Sequence, residues 1–541
     1  MANRVRRVLA RALPVALVAS SAAVGSLTGL PTGSAAPSGL PLGAAGLPET
    51  RTTRTVQAGV TVTTITRGRP GATDSWTLEV AVPSDSTDPD APATALAPQP
   101  EAQALADRLQ AAGLPARAER VTTPALADFT GGTIGWRVRV GSFPTKEAAE
   151  LVRPQVLAAG ASASSVYTGW DGDQPDEGPW HLQVVTIDPR TFSGRLEATV
   201  GPDVHDRETT SALARAAGAT VATNAGYFVL DPASGAPGDP AGAGVYDGQV
   251  LSEPITGRPA LVLRDDARGT RIERLHWSGT ARGEQTLALD GIDRVPGLIR
   301  NCGGTPDDLS PAGVPTATPL HDTTCTDADE VVAFTSGYAA TTPAGPGLEA
   351  VLDAHQRVVA LRSPRGGSLP AGGYSVQATG SDVAALRSAV RVGHRLRITT
   401  KLLDEDGDVV RHSAGTSVVN GGPMLVRSGA LDVTATADGF DHPGDPSWFY
   451  GFSAKRNPRT FAGTDAQGRT VLVTADGRST SSLGLSLHET AQVAQALGLR
   501  EAMNLDGGGS TTAVVDGQVV NSPSDATGER PVGDALLVLP R

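Results

Sequence analysis

Met503-Asn504-Leu505-Asp506-Gly507-Gly508-Gly509-Ser510-Thr511-Thr512 runs straight into Ala513-Val514-Val515-Asp516-Gly517-Gln518-Val519-Val520. The second half is a β-hairpin by its Asp-Gly turn between apolar runs. The first half is a strand that delivers an amide and a carboxylate into three glycines. Bare backbone N–H groups can there approach an anion or a sugar closely. A tight strand–turn–strand connection does not need so much glycine between Asp506 and Ser510. No Lys follows the glycines, so this is not a phosphate-binding P-loop. Ser510 lacks the G-x-S-x-G frame of a nucleophile elbow.

Strands dominate from Trp180 onward. His181-Leu182-Gln183-Val184-Val185-Thr186-Ile187 reads as one, and Val221-Ala222-Thr223-Asn224-Ala225-Gly226-Tyr227-Phe228 as a buried strand leaving into a loop. A second hairpin lies at 424–431. The helix that begins at Ser486 is marked by the capping box Ser486/Glu489 and ends at Gly498. The region 180–541 is therefore expected to be α+β and mostly antiparallel.

A smaller module is expected at 75–170. Trp76, Leu78, Val80 and then Ile134, Trp136, Val138, Val140 alternate with polar residues, each followed by a helical segment and a further strand. This predicts a βαββαβ unit, its second helix kinked by Pro154. Residues 37–74, rich in Pro, Gly and Thr, read as a linker. Residues 1–36 read as a secretory signal peptide, with Arg4, Arg6, Arg7 and Arg11 before a short apolar stretch and Ser34-Ala35-Ala36 after it. A secreted or cell-wall location without stable membrane insertion follows.

Composition narrows the partners. Among 541 residues, 45 are basic and 57 acidic, a formal net charge of -12, with no Lys/Arg run to neutralise phosphates, so nucleic acid is excluded as a partner. The two cysteines, Cys302 and Cys325, are expected to form a disulfide in an oxidising compartment. A metal site with His321 would lack C-x-x-C spacing. No metal and no cofactor are expected. His488-Glu489 lacks the second His of a zinc-protease helix, since Gln492 stands there. Asp404 to Asp408 lacks the calcium-loop frame, and calcium elsewhere is not readable.

Thr223-Asn224-Ala225-Gly226-Tyr227-Phe228, Asn420-Gly421-Gly422-Pro423, Asn457-Pro458-Arg459-Thr460, Asn504 to Ser510 and Glu529-Arg530-Pro531-Val532 occur in an order that resembles the phosphodiester glycosidase family over about 180–541. Trp136 to Glu150 resembles the SPOR family, a peptidoglycan-binding module, over about 75–170. The resemblance implies hydrolysis of a sugar 1-phosphodiester in a cell-wall or extracellular glycan. An oxocarbenium-like transition state wants a carboxylate near C1. Asp506 is the first candidate and Glu529 the second. Arg459 and Arg530 are candidate phosphate clamps. Asn224, Asn420, Asn504, Gly507, Gly508, Gly509 and Ser510 are candidates for binding sugar hydroxyls or phosphate. Trp448, Phe449, Tyr450 and Phe452 could stack on a sugar or pack a loop. The Cys302–Cys325 stretch reads as an insertion away from the polar motifs. Two alternatives stay open: a non-catalytic wall-binding protein, and a metal-assisted phosphodiesterase cutting P–O.

Overall fold

Val60 and Val62 are buried on one face of a strand and Ile65 on the other, while the threonines between them are more exposed, so this strand has a core on both sides. The computed structural model, which describes residues 39–82, 94–303, 305–316 and 318–541, corrects the linker reading at this point. Glu49–Gln57 and Val60–Arg67 form a hairpin turned at Gly59, where φ is 75° and a Cβ would sit 2.4 Å from the Phe192 backbone nitrogen. Threonine, β-branched like valine, favours such strands. Threonine-rich composition makes the segment resemble a linker in sequence. The signal-peptide reading of 1–36 lies outside the described residues.

The hairpin forms one edge of an eight-stranded sheet. Its order is Glu49–Gln57, Val60–Arg67, Trp180–Ile187, Thr470–Ala475, Arg459–Asp465, Leu499–Asn504, Met424–Arg427, Ala430–Leu431. Every neighbouring pair in it is antiparallel. One face packs Leu182, Val184, Phe461, Val471 and Val473 beneath the helix Leu487–Ala496. That helix starts at Ser486 in a complete capping box, as expected from its sequence.

The other face packs Val185, Ile187, Ala462, Leu472 and Met503 against Val221, Leu536 and Val538 of a second sheet. This five-stranded sheet runs Gln518–Val519, Ala513–Val515, Val221–Asn224, Ala535–Leu539, Arg195–Thr199. The chain leaves the first sheet at Asn504 and enters the second at Ala513. The glycine loop is thus the crossover between two packed sheets. Residues between Gly244 and Asn420 add further mostly antiparallel sheets around their own core. Among the described residues one strand pair, Gly291–Ile292 with Val331–Phe334, is parallel.

Residues 76–167 supply the strand Trp76–Val80, the helix Gln99–Ala111, the strands Ala116–Thr123 and Gly132–Phe143, two short helices Lys146–Glu150 and Arg153–Ala158, and the strand Ala163–Tyr167. Pro154 divides the expected second helix in two, standing in the first turn of the later piece, where its missing N–H is harmless. Leu78, Val80, Val138 and Val140 turn one sheet face onto the helices. The opposite face carries Glu79, Arg137 and Arg139, all buried.

Those charges are matched partly within the module and partly from outside it. Arg139 bonds Asp171 at 2.6 and 2.7 Å and Glu79 at 2.9 Å. Tyr450 donates to Glu79 at 2.9 Å and accepts from Arg137 at 3.1 Å, while Lys455 reaches Glu79 at 2.8 Å. Burial alone would raise the Glu79 pKa; Lys455, Arg139 and Arg137 hold it well below the ordinary range. The polar sheet face is sealed, and residues 39–541 form one compact unit.

Candidate active site

Asp506 is fixed by its backbone before its side chain does anything. Its N–H donates to the Ala225 carbonyl at 3.0 Å, and its carbonyl accepts from Asn224 Nδ2 at 2.7 Å. Asn224 Oδ1 also accepts from Thr460 Oγ1 at 2.7 Å and Thr512 N at 3.1 Å, joining three of the sequence motifs through one amide. The carboxylate Oδ1 accepts from Gly507 N at 2.8 Å, and Gly508 N donates to the Pro458 carbonyl at 2.9 Å. A Cβ on Gly509 would lie 2.2 Å from both Arg530 Nη2 and Asp525 Oδ1. The loop can only be this tight without side chains.

The three asparagines are corrected from ligand-binding to positioning residues. Asn420 takes Tyr227 N at 2.9 Å and gives to Tyr227 O at 3.0 Å. Asn504 donates to the Tyr227 hydroxyl at 2.8 Å, which itself donates to Gly422 O at 2.7 Å. Each amide is buried and bonded to protein; Asn224 and Asn420 use both ends, while Asn504 bonds through Nδ2 and its buried Oδ1 has no hydrogen-bond partner. Ser510 is buried as well and does not line the cleft.

What lines the cleft, whose volume is ≈ 360 Å³, is Asp506 with Gly507, Gly508 and Gly509, four arginines (Arg300, Arg459, Arg478, Arg530), and Tyr227, Phe452, His321 and Asp322 among others. Burial pushes the Asp506 carboxyl up to about 6, against the opposing pull of Ser510, the Arg530 charge and the Gly507 N–H. Arg459 donates to the Leu485 carbonyl at 3.0 Å and to the Phe452 carbonyl, and its guanidinium stacks 5.1 Å from the Phe452 ring. It makes no ion pair with a carboxylate among the described residues. Burial, with the Arg478 charge adding to it, brings its pKa down to about 10. A guanidinium buried beside a cleft without its own anion is a place for one from outside.

Arg478 is held by Asn457 Oδ1 at 3.0 and 3.2 Å and sits at φ 55°, in the left-handed region rarely used by such a residue. Arg530 keeps a bidentate partner, Asp525, at 2.8 and 3.1 Å. The cleft thus carries more cationic than anionic side chains. It is built for an anion.

Glu529 is the clearest correction. It does not line the cleft: Oε1 accepts from Ser211 N at 2.7 Å, beside the N-terminus of the helix Thr210–Ala217. A carboxylate there is used up by the helix's free N–H groups and dipole. The second cleft carboxylate is instead Asp322, bonded to Arg300 at 2.9 Å. Trp448, Phe449 and Tyr450 are buried core, and of the aromatic run only Phe452 reaches the cleft.

The stretch closed by Cys302 and Cys325, which are disulfide-bonded, is no distant insertion. Ile299–Arg300 pairs with Thr324–Cys325, placing Arg300 and Asn301 opposite His321 and Asp322 in the cleft wall. Asp322 N donates to Asn301 Oδ1 at 2.7 Å. His321 is buried, and burial together with Arg258 and Arg300 keeps it neutral by lowering its pKa well below 6.5. Its Nδ1 lies 3.3 Å from Arg258 Nη2, which can only donate, so the ring proton belongs on Nε2, 3.6 Å from Asp322 Oδ1.

Opening this disulfide should therefore loosen the cleft wall. We expect no titratable thiol before reduction. Cys302→Ser with Cys325→Ser should lose about 2–4 kcal/mol of stability and raise KM several-fold with kcat less affected. Unchanged kinetics with a lowered denaturation midpoint would make the bridge purely structural.

Comparison with known proteins adds lineage to this geometry. Residues 330–539 match the phosphodiester glycosidase family and residues 93–167 the SPOR domain. The N-acetylglucosamine-1-phosphodiester alpha-N-acetylglucosaminidases of Mus musculus and Homo sapiens are 32% and 31% identical over 129 residues, 24% of this chain. The matched segment spans about a quarter of the length of either relative (25%). A solved structure from Burkholderia pseudomallei K96243, of a protein named for its expected export, is 32% identical with a TM-score of 0.82, covering 93% of this chain and 98% of its own.

Proposed function

We infer a hydrolase of sugar 1-phosphodiesters from one premise: the chain belongs to the phosphodiester glycosidase family, with a SPOR domain ahead of the glycosidase region. The observation that carries the reading is the buried Arg459, without a carboxylate partner, in the same cleft as an Asp506 whose carboxyl is raised to about 6. Arg459, with Arg478 and Arg530 around it, would take the phosphate oxygens in forked hydrogen bonds. The glycine loop leaves room for the sugar against Tyr227 and Phe452.

The reaction is cleavage of the sugar C1–O bond. Positive charge develops at C1 and the ionised Asp506 stabilises or captures it. Water supplies the new oxygen on C1, and its proton passes to the departing phosphomonoester or to solvent. That leaving group has a second pKa of about 6 and departs as a stable anion, so strong acid assistance is unnecessary. The relatives named for N-acetylglucosamine 1-phosphodiesters support this substrate class. A SPOR domain and a structural relative named for export support action outside the cell, on a wall or extracellular glycan. No helix among the described residues is long and apolar enough to cross a membrane.

The test is hydrolysis of a purified sugar 1-phosphodiester in ¹⁸O water. The label should appear on the released sugar and not in the phosphomonoester. Label on phosphorus would mean P–O cleavage and favour a metal-assisted phosphodiesterase. No hydrolysis of any such diester by folded protein would favour a binding role.

A further inference from the structure

Outside the cleft, three carboxylates meet at the base of the disulfide loop. Asp307 and Asp308 lie inside the loop and Asp327 lies two residues beyond Cys325, and one oxygen from each falls within 4.8 Å of the others. The backbone builds this meeting point. Leu309 N donates to Thr326 O at 2.9 Å and Thr326 N to Leu309 O at 2.9 Å, so the residues flanking that bridge are brought side by side. Thr305 Oγ1 steadies Asp308 Oδ1 at 2.8 Å.

Asp327 supplies a second, separate observation. It is 9% exposed, its Oδ1 accepts from Asp329 N at 2.9 Å, and its Oδ2 is buried without any hydrogen-bond partner. A buried carboxylate oxygen left unsatisfied beside two more carboxylates is unfavourable unless a cation completes it. Burial, with Glu330, Asp307 and Asp308 adding repulsion, already pushes the Asp327 carboxyl up to about 6.

We propose that Asp307, Asp308 and Asp327 form a divalent-cation site, of calcium type, that pins the Cys302–Cys325 loop. Three carboxylates on irregular backbone, one of them exposed and open to water, match the all-oxygen, flexible shell of calcium better than the strict octahedron of magnesium. The loop that the ion fastens holds His321 and Asp322 and abuts Arg300 and Asn301, so the ion sets one wall of the cleft. The hairpin tip at Asp404 is different: there Asp404 Oδ1 already accepts from Asp406 N at 3.1 Å and Asp408 N at 2.8 Å.

Binding can be read without substrate, so this inference and the proposed reaction fail separately. The full chain, stripped with EGTA and dialysed, should be titrated with CaCl₂ by calorimetry. One saturable site is expected with Kd of about 10⁻⁴ to 10⁻³ M, the range of extracellular calcium modules. The melting temperature should rise with CaCl₂ and fall back with EGTA. Asp327→Asn should weaken binding tenfold or more. Should that buried change prevent folding, Asp307→Asn, at an exposed position, decides the matter with a several-fold loss. No saturable uptake by folded wild type up to ~10 mM, unchanged affinity in Asp307→Asn, or equal affinity for MgCl₂ would each overturn the assignment.

Discussion

Asp506→Asn is expected to cut turnover severely and, at neutral pH, make the protein harder to unfold. The two effects have one cause. Asparagine keeps the size and the acceptor for Gly507 N–H, so the loop geometry survives. What disappears is a charge that the fold holds unwillingly. A carboxyl displaced from 3.8 to about 6 is destabilising when ionised, by roughly 3 kcal/mol at 1.36 kcal/mol per pH unit. Water in the cleft screens part of this, which leaves about 1–3 kcal/mol to be gained.

The sign with pH is fixed by the same shift. The folded state binds the proton more tightly than the unfolded chain, so ionisation erodes wild-type stability as pH rises from 3.8 to about 6, and the loss is complete above that. The stabilisation of Asp506→Asn should be full at pH 7 and vanish near pH 3.5. Activity should move the other way. Loss of the stabilising charge at C1 should reduce kcat by ~10² or more, about 3 kcal/mol in the transition state. Wild-type kcat/KM should climb through about pH 6 as Asp506 ionises. Denaturation midpoints at several pH values, beside single-substrate kinetics, check all of this. A folded Asp506→Asn enzyme with wild-type kcat would remove Asp506 from the chemistry and turn attention to Asp322.

Arg459→Lys is expected to separate two substrate classes. Lysine keeps a positive charge but cannot hold both the Leu485 and Phe452 carbonyls and still present a flat fork to an anion. On a phosphodiester substrate kcat/KM should fall by ~10–100-fold, the worth of one to two charge-assisted hydrogen bonds. On an aryl glycoside without phosphate the change should stay within about threefold, because no anion needs the fork there. Equal losses on both substrates would point to a distorted cleft rather than to phosphate recognition.

Much of this site was legible because Asp506, its glycines, Arg459 and Arg530 sit in contiguous motifs whose composition is hard to explain otherwise. The failures have physical reasons. Glu529 and Arg530 are neighbours in sequence, but the chain bends at Glu529, just before the strand Pro531–Val532, and the two side chains part. One reaches a helix N-terminus and the other the cleft. The asparagines were misassigned because a buried amide and a ligand-binding amide look identical in sequence; only hydrogen-bond accounting separates them. Arg478 follows Asp476-Gly477 at the end of a strand, and nothing local announces its left-handed backbone angle. Arg300, Asn301, His321 and Asp322 come to the cleft through a disulfide and a two-residue ladder, neither of which has periodicity to detect. The Glu49–Arg67 hairpin is hidden by its threonine-rich composition, although the alternation of Val60 and Val62 with threonine is there to be read.

The sealed sheet face of residues 76–167 has an effect on scale. With Arg139, Glu79, Tyr450 and Lys455 locked together across it, the module cannot swing as a tethered hook would. Any glycan it grips must meet its helices or edges, and does so at a fixed span from Asp506. A flexible tether raises local substrate concentration and leaves the choice of bond to chance. A rigid one acts as a ruler. Should the module grip a repeating polymer that the cleft hydrolyses as proposed, cleavage would fall at one set spacing from the gripped unit, fixed by the packing inside one compact unit.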